Sequence, residues 1–421
     1  MSKEMFFDAP FDVVVCIFAH LPTKKLLCYR SVSKAYCDLI DSRYFANLHW
    51  CNSMRTRSNL IILCRSIGMA SVGSDAGMHR VDIDTLLHSV LKCPMDWDFF
   101  SKFIGTCNGV VLLYDGYEHI TFWNPTIRTY IDLIHPRAST PQNPNGNIKY
   151  NFGFGYDHFN DDYKVVMSFQ LDITAVLNGE EIVKEAYVFS LKSNIWRKIG
   201  DFPYFVCKSG CYGAYVGGSL YWTCVERSVD SNFRSLIVAF DLATEEYRII
   251  PMPLYEDISS EVEITIGSLE ESLWAHCSFV LGGEEDSVGF SDTWILHEVD
   301  KEQYSWTKLL SFDYPSKFCK PLAYAKRGKN VLLDNRMKLL WYDLVKGEEG
   351  REIKIRGLPD YFGSDVCVES LVHLDCGASD KENQHIGEKK VVHDDTESNE
   401  ESIFSVIANF VTELFRGIFE F

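Results

Sequence analysis

The sequence predicts a small all-α module at the N-terminus, then an all-β propeller of about six blades, then an acidic linker and a C-terminal amphipathic helix. Three observations carry this. Apolar residues recur three and four apart between residues 11 and 40, the spacing of one helix face. From residue 99 the pattern changes to short runs rich in Val, Tyr, Phe and Trp, separated by Gly, Asn and Asp, which is strand-and-turn chemistry. Beyond residue 374 the chain turns polar and acidic before a last apolar stretch resumes helical spacing.

With 421 residues, 46% hydrophobic and 14% aromatic, the chain can build a large core, which excludes global disorder. A net charge of −18 argues against nucleic acid as a partner, because phosphate binding needs an excess of Lys and Arg. The acidity is uneven. Residues 365–421 hold thirteen Asp/Glu against four Lys/Arg (4 − 13 = −9), whereas the first sixty hold eight Lys/Arg against five Asp/Glu (8 − 5 = +3). Lys3, Glu4 and Asp8 precede no cleavable apolar run, and no stretch reaches the roughly 18 apolar residues of a membrane span. A cytoplasmic or nuclear location is therefore expected. The fourteen cysteines are scattered singly with no Cys-x-x-Cys pair, which reads as reduced thiols used as small hydrophobes.

In the first module (1–50), Val14, Ile17, Phe18 and Leu21 form one apolar stripe, and Pro22 ends that helix. A second short helix is expected over 24–29, and Val32, Tyr36, Leu39 and Ile40 mark a third. Three helices in about thirty residues have too little interior to bury both faces of each. The spare apolar surface is left to dock either on the rest of the chain or on a partner.

The middle region (59–374) repeats a unit. An apolar strand ends in Asn, Asp or Ser, a tight polar turn follows, and an aromatic or charged residue opens the next strand. Ile120-Thr-Phe-Trp-Asn-Pro-Thr-Ile-Arg-Thr-Tyr, Ala186-Tyr-Val-Phe-Ser-Leu-Lys-Ser-Asn-Ile-Trp and Leu236-Ile-Val-Ala-Phe-Asp-Leu-Ala-Thr-Glu-Glu-Tyr are clear copies, and looser ones start at Thr293 and Lys338. Tyr130, Trp196, Tyr247 and Trp306 are 66, 51 and 59 apart, near the kelch-like period of about 50. Each unit follows another hairpin, turning at Asn108-Gly, Asp157 to Asp162, Gly217-Gly or Gly328-Lys, so a unit has the four strands of one propeller blade. Five units run from residue 99 to about 358. Strands at 59–65 and 79–84 and another at 365–374 are expected to close a sixth blade from both chain ends, which removes open edges. A two-sheet sandwich is the alternative architecture.

In such a meander the second-to-third connection and the unit-to-unit connection share one end. The long segments 136–149, 171–184, 226–232, 254–260 and 282–291 are expected there, with the short turns at the other end. Long loops gathered on one end make it the expected recognition surface.

No catalytic pattern competes with this reading. Gly153-Phe-Gly lacks a following Lys-Ser/Thr, and neither Gly-x-Ser-x-Gly nor His-Glu-x-x-His occurs. Asp161-Asp162 reads as a solvated hairpin tip, and His276 and Cys277 alternate faces of a strand. The twelve histidines show no metal-ligand spacing, so neither metal nor cofactor is expected. Residues 375–402 read as a flexible acidic linker. Over 403–421, Ile403, Ile407, Phe410, Leu414 and Ile418 fall three and four apart, an amphipathic helix. Its polar face carries Glu413, Glu420 and only Arg416, whereas anionic lipid selects for Lys and Arg. Docking on the propeller or on a partner is expected rather than a membrane surface.

Asp8-Ala-Pro-Phe-Asp-Val-Val-Val-Cys-Ile-Phe-Ala-His-Leu-Pro-Thr-Lys-Lys-Leu-Leu, followed by Arg30-Ser-Val-Ser-Lys-Ala-Tyr-Cys-Asp-Leu-Ile, resembles the plant F-box. Ala9 stands where that family usually has Leu, and Tyr36 where it has Trp. Gly105-Thr-Cys-Asn-Gly-Val-Val-Leu-Leu, Trp123-Asn-Pro-Thr-Ile-Arg, Gly153-Phe-Gly-Tyr-Asp-His-Phe-Asn-Asp-Asp-Tyr-Lys-Val-Val and Gly218-Ser-Leu-Tyr-Trp resemble the F-box-associated domain of plants. Relatives there include the pollen-side S-locus self-incompatibility proteins and regulators that turn over plant immune receptors. The resemblance implies a non-catalytic substrate-recognition subunit of an SCF-type ubiquitin ligase. Pro10, Val14, Ile17, Leu21, Pro22, Leu26 and Leu27 would face a Skp-type adaptor joined to a cullin, and the propeller loops would hold an unknown protein substrate. A propeller scaffold outside any ligase is the alternative of a different class.

Overall fold

The computed structural model describes residues 10–66, 77–98, 100–136, 148–171, 184–206, 212–227, 233–253, 262–281, 288–300, 303–313, 319–374 and 390–391. The helix expected over 403–421 lies outside the described residues, as do nearly all of the linker and most of the long connections. Within the expected linker, Lys390–Val391 pairs antiparallel with Thr129 and Tyr130.

Helices α1 (Phe11–Phe18), α2 (Thr23–Tyr29), α3 (Lys34–Ile40) and α4 (Arg43–Thr56) form the N-terminal module. Pro10 and Pro22 stand in extended backbone just before α1 and α2, where a missing N–H is no loss. Ser33 and Ser42 cap α3 and α4 by accepting from Tyr36 N at 3.1 Å and Phe45 N at 3.2 Å. The spacing predicts three helices, and α4 is the addition. Its inner face joins Phe45 and Ala46 to His49, Asn52 and Ser53, and the polar members erase the apolar periodicity. His49 Nε2 donates to Leu21 O at 2.9 Å and Asn52 Nδ2 to Ala19 O at 2.8 Å, so α4 is stitched to the α1–α2 link.

The rest is β. Four-stranded antiparallel meanders follow one another: Lys102–Cys107, Val110–Tyr114, His119–Asn124 and Thr129–Ile134; Ile148–Asp157, Asp162–Leu171, Lys184–Ser190 and Ile195–Gly200; Tyr212–Val216, Ser219–Arg227, Phe233–Asp241 and Tyr247–Ile250; Val262–Leu269, Ser272–Leu281, Val288–Asp300 and Gln303–Asp313; Lys320–Tyr324, Asn330–Asp334, Leu339–Asp343 and Glu348–Ile353. Another sheet joins both chain ends. Phe362–Val368 pairs with Leu60–Ser66, which pairs with Met78–Asp82 and through it with His88–Leu91. His88–Leu91 is a strand the spacing does not predict, because it is short and no residue of it is fully buried. The innermost strands neighbour one another in a ring, from Phe362–Val368 through Lys102–Cys107, Ile148–Asp157, Tyr212–Val216, Val262–Leu269 and Lys320–Tyr324 back to the start. The domain is propeller-like.

The repeat seen in the sequence is a turn with one chemistry. Asn124, Ser190, Asp241 and Asp343 each end a third strand, and the side-chain oxygen of each accepts a backbone N–H two or three residues on. Four residues after each comes a left-handed residue: Arg128, Asn194, Glu245 and Gly347. Between neighbouring sheets, indoles fill the gap. Trp222 and Trp274 are buried against Gly213 and Gly267, and a Cβ on Gly267 would lie 2.4 Å from the Trp274 ring.

The helices sit on the short-turn end of the ring. Arg43 reaches the Asp161 carboxylate at 2.6 Å, and Arg57 reaches Glu270 at 2.6 Å and Ala325 O at 3.2 Å. Asp161, Glu270 and Ala325 all belong to first-to-second-strand turns. Second-to-third connections and those between meanders therefore leave from the opposite end. The expectation that the short turns all lie at the end opposite the long segments needs correction. Residues 115–118 and 335–338 are tight second-to-third turns, so two short turns sit at the long-loop end.

Candidate functional site

The helical module folds around its own core. Val14, Val15, Phe18, Leu26, Ile40 and Phe45 cluster together, and Tyr36 packs edge-on to Phe18 at 5.0 Å. That places the seven expected adaptor residues unequally. Val14 and Leu26 are buried inside the module, so they hold helices together and do not face outward. Ile17, Leu21 and Leu27 are half-buried against the same cluster, and Pro10 and Pro22 are exposed. Phe11 and Val13, 58% and 46% exposed, and Val32 add outward apolar surface that the stripe argument misses. A helical face of this kind suits a partner groove. The signal available in the sequence was the neighbourhood of Pro10, since the first turn of α1 has no intrahelical neighbours on its N-terminal side.

The module is locked to the ring by the segment that follows the ring's last strand. After Phe362–Val368, the segment 369–374 runs beneath the helices. Leu371 is buried in the helical core, with Ile127 and Val372 packed beside it. Asn124 Nδ2 donates to Ser370 O at 3.0 Å and Val372 O at 2.9 Å, and Glu369 N donates to Asn59 O at 2.8 Å. The Glu369 carboxylate is buried against Arg80, with contacts of 2.5 and 3.1 Å. Nearer the long-loop end, Arg65 and Lys320 both meet Asp365. Burial opposes ionisation of Asp365, but the two cations win and hold its carboxyl below the usual range.

The titratable residues of the ring have structural tasks. The side chain of Asp161 is 44% exposed, as a solvated tip requires, whereas Asp162 is buried. Asp161 holds Arg43 and accepts from Tyr156 Oη, while buried Asp162 accepts from Lys192 N at 2.8 Å. His276 is buried with Nδ1 2.9 Å from Thr293 Oγ1, and burial keeps its ring neutral by lowering its pKa. Burial pushes the thiols of Cys93 and Cys367 up to about 12, far from a reactive thiolate. A cleft of about 550 Å³ near the helix end is lined by Lys164, Lys192, Arg197 and Glu245, but its cations are already engaged. Lys164 Nζ meets Asp157 at 2.9 Å and Leu242 O at 2.6 Å, Arg197 takes both Glu245 oxygens at 2.6 Å, and Lys192 Nζ donates to Asn160 O at 3.0 Å.

The described residues thus form a helical module fixed to the short-turn end of a propeller-like ring. The chain belongs to the F-box proteins that carry an F-box-associated β-propeller domain: the model of the F-box domain matches residues 10–48, and that of the F-box associated beta propeller domain residues 61–372. F-box protein CPR1 of Arabidopsis thaliana is 30% identical over 385 residues, covering 86% of this chain and 88% of that protein. F-box protein At4g22390 of the same plant is 26% identical over 405 residues, covering 91% of this chain and 95% of its own. Among solved structures, a chain of a nidogen/laminin complex matches with a TM-score of 0.42 and 12% identity, covering 74% of this chain and 99% of that one. Among the described residues no helix is long and apolar enough to cross a membrane.

Proposed function

We propose that this chain is the target-choosing subunit of an SCF-type ubiquitin ligase and performs no bond chemistry itself. The helical module binds a Skp-type adaptor, and through it a cullin, using Pro10, Phe11, Val13, Ile17, Leu21, Pro22 and Leu27, with Val14 and Leu26 as the core beneath. The ring is a closed six-bladed propeller whose long-loop end receives a target protein. Its contribution is effective concentration: target lysines are held near the ubiquitin carrier. The observation that carries this reading is the docking of the helices on the short-turn end, through Arg43, Arg57 and Leu371, which leaves the loop-bearing end pointing away from the adaptor.

The test is co-purification with a plant Skp-type adaptor, comparing the intact chain with a Phe11→Ser, Val13→Glu variant. Both positions are exposed, so the variant should keep its melting temperature and lose the adaptor. Absence of binding by intact, well-folded protein would sink the ligase reading and leave a propeller scaffold outside any ligase.

A further inference from the structure

At the long-loop end, two half-exposed rings stand together on a built platform. Phe100 lies in the connection entering Lys102–Cys107, and Tyr117 in the turn joining Val110–Tyr114 to His119–Asn124. They are 51% and 52% exposed, with centroids 5.5 Å apart. Single exposed rings are ordinary, whereas here two stand side by side on backbone that is fixed by hydrogen bonds.

The platform is made of turn chemistry. Asp98 Oδ1 accepts from Phe100 N and Ser101 N, both at 2.8 Å. Asp115 Oδ1 accepts from the N–H groups of Tyr117, Glu118 and His119 at 2.8 to 3.0 Å. The Tyr117 carbonyl accepts from Tyr114 Oη at 3.0 Å and from His135 Nε2 at 2.9 Å. Gly116, at φ +87°, backs directly onto Phe100, where a Cβ would lie 2.6 Å from the Phe100 carbonyl oxygen. The backbone beneath both rings is thus ordered before any partner arrives, which lowers the entropy lost on binding. In the segments that carry them, acidic residues outnumber basic ones. Residues 96–98, 100–102 and 115–119 carry Asp96, Asp98, Asp115 and Glu118 against Lys102.

We propose that the Phe100–Tyr117 pair anchors the target surface and receives a basic peptide segment of the target, its apolar side chain packed on the rings and its Lys or Arg side chains set over the ring faces against the carboxylate rim. This rests on the target-choosing reading above. A cation within about 6 Å of a ring centroid is attracted by the ring face, and the surrounding carboxylates add to that attraction. Pre-ordered aromatics are the residues that most often dominate an interface. The rim is solvent-exposed, so its share of the binding falls as salt rises.

The test titrates the full chain, bound to its adaptor, with a fluorescent peptide alternating Lys with Leu and Phe, and with its Glu-for-Lys counterpart. The basic peptide should bind about tenfold tighter or more than the acidic one, and a Phe100→Ser, Tyr117→Ser variant should weaken it by about tenfold, as truncating a hot spot does. Phe159→Ser removes an exposed ring at the opposite end and should change nothing. Equal binding of the two peptides, or a double variant that binds like the parent, overturns the proposal. A photo-crosslinking residue at Met337, at the loop end but outside the pair, separates the two levels. Target cross-linking from position 337 that is undiminished in the double variant overturns the anchor alone. Cross-linking from position 159 and none from 337 overturns the loop end as the target surface altogether.

Discussion

Replacing Leu371 by Ala should unlock the helical module from the ring. Leu371 comes from the C-terminal side of the propeller-like domain, yet its side chain completes the core built by Val14, Val15, Phe18, Leu26, Ile40 and Phe45. Truncating a buried Leu removes its transfer free energy and leaves a cavity, together about 2–5 kcal/mol. Relaxation into the hole is limited here, because the backbone on both sides of Leu371 is tied by Asn124 to Ser370 O and Val372 O. The upper part of the range, about 3–5 kcal/mol, is therefore expected. Even about 3 kcal/mol is roughly two decades in an equilibrium constant. Since Leu371 belongs to the join, the loss should fall on the helices first. Hydrogen exchange read by mass spectrometry should show peptides of α1 to α4 opening roughly two decades more often, with Val110–Tyr114 protected as before. Adaptor binding should weaken only as far as the closed fraction of the module falls. Unchanged protection of the helices, or a loss spread evenly over helices and strands, would refute the claim that 369–374 is part of the helical core.

Further outcomes follow from other buried contacts. Glu369→Gln leaves Arg80 buried without its full counter-charge and should cost about 3–5 kcal/mol in urea melts; a loss under about 1 kcal/mol would mean that Asp82, 3.8 Å from Arg80, suffices. Gly267→Ala drives a methyl into the Trp274 ring and should destabilise by about 1–3 kcal/mol, with a change in tryptophan fluorescence; a neutral effect would show that this indole can shift. Burial lowers the pKa of His49, His135 and His276, against hydrogen bonds to Leu21 O and Tyr117 O that favour the charged ring in the first two. Their folded values thus lie below the unfolded value of about 6.5, so the unfolded chain takes up protons first. The stability they contribute is full above about pH 6.5 and falls as pH drops below it, until the folded values are passed. His49→Gln keeps a donor for Leu21 O and should flatten that fall by at most about 1.4 kcal/mol per pH unit, measured by melts between about pH 7 and about pH 5.5. An unchanged slope would mean that His49 does not titrate on unfolding.

Much of the fold was legible because its signals are local. Asn124, Ser190, Asp241 and Asp343 each close a turn with their own side chain, so the repeat can be read without knowing what packs on it. The two prolines before α1 and α2 act within one turn of themselves, and the F-box and propeller motifs lie in continuous stretches. Helix α4 was not legible, since its inner face is built on His49 and Asn52, whose partners are carbonyls on the α1–α2 link. Nor was the seam. Arg43 with Asp161 and Arg57 with Glu270 look like ordinary surface charges until the chain brings them together.

The sequence by itself determined the two kinds of element, the turn chemistry, the repeat and the family, because propensity, periodicity and short motifs act between residues close along the chain. Only the tertiary structure decided which apolar residues of the helical module face outward. Val14 of α1 and Leu26 of α2 turn inward while Phe11 and Val13 stay exposed, although all four are apolar. It also decided that the last segment of the propeller-like domain completes the helical core, and that the helices stand on the short-turn end. Burial is a property of what packs against a residue, and here those neighbours lie more than three hundred residues apart along the chain.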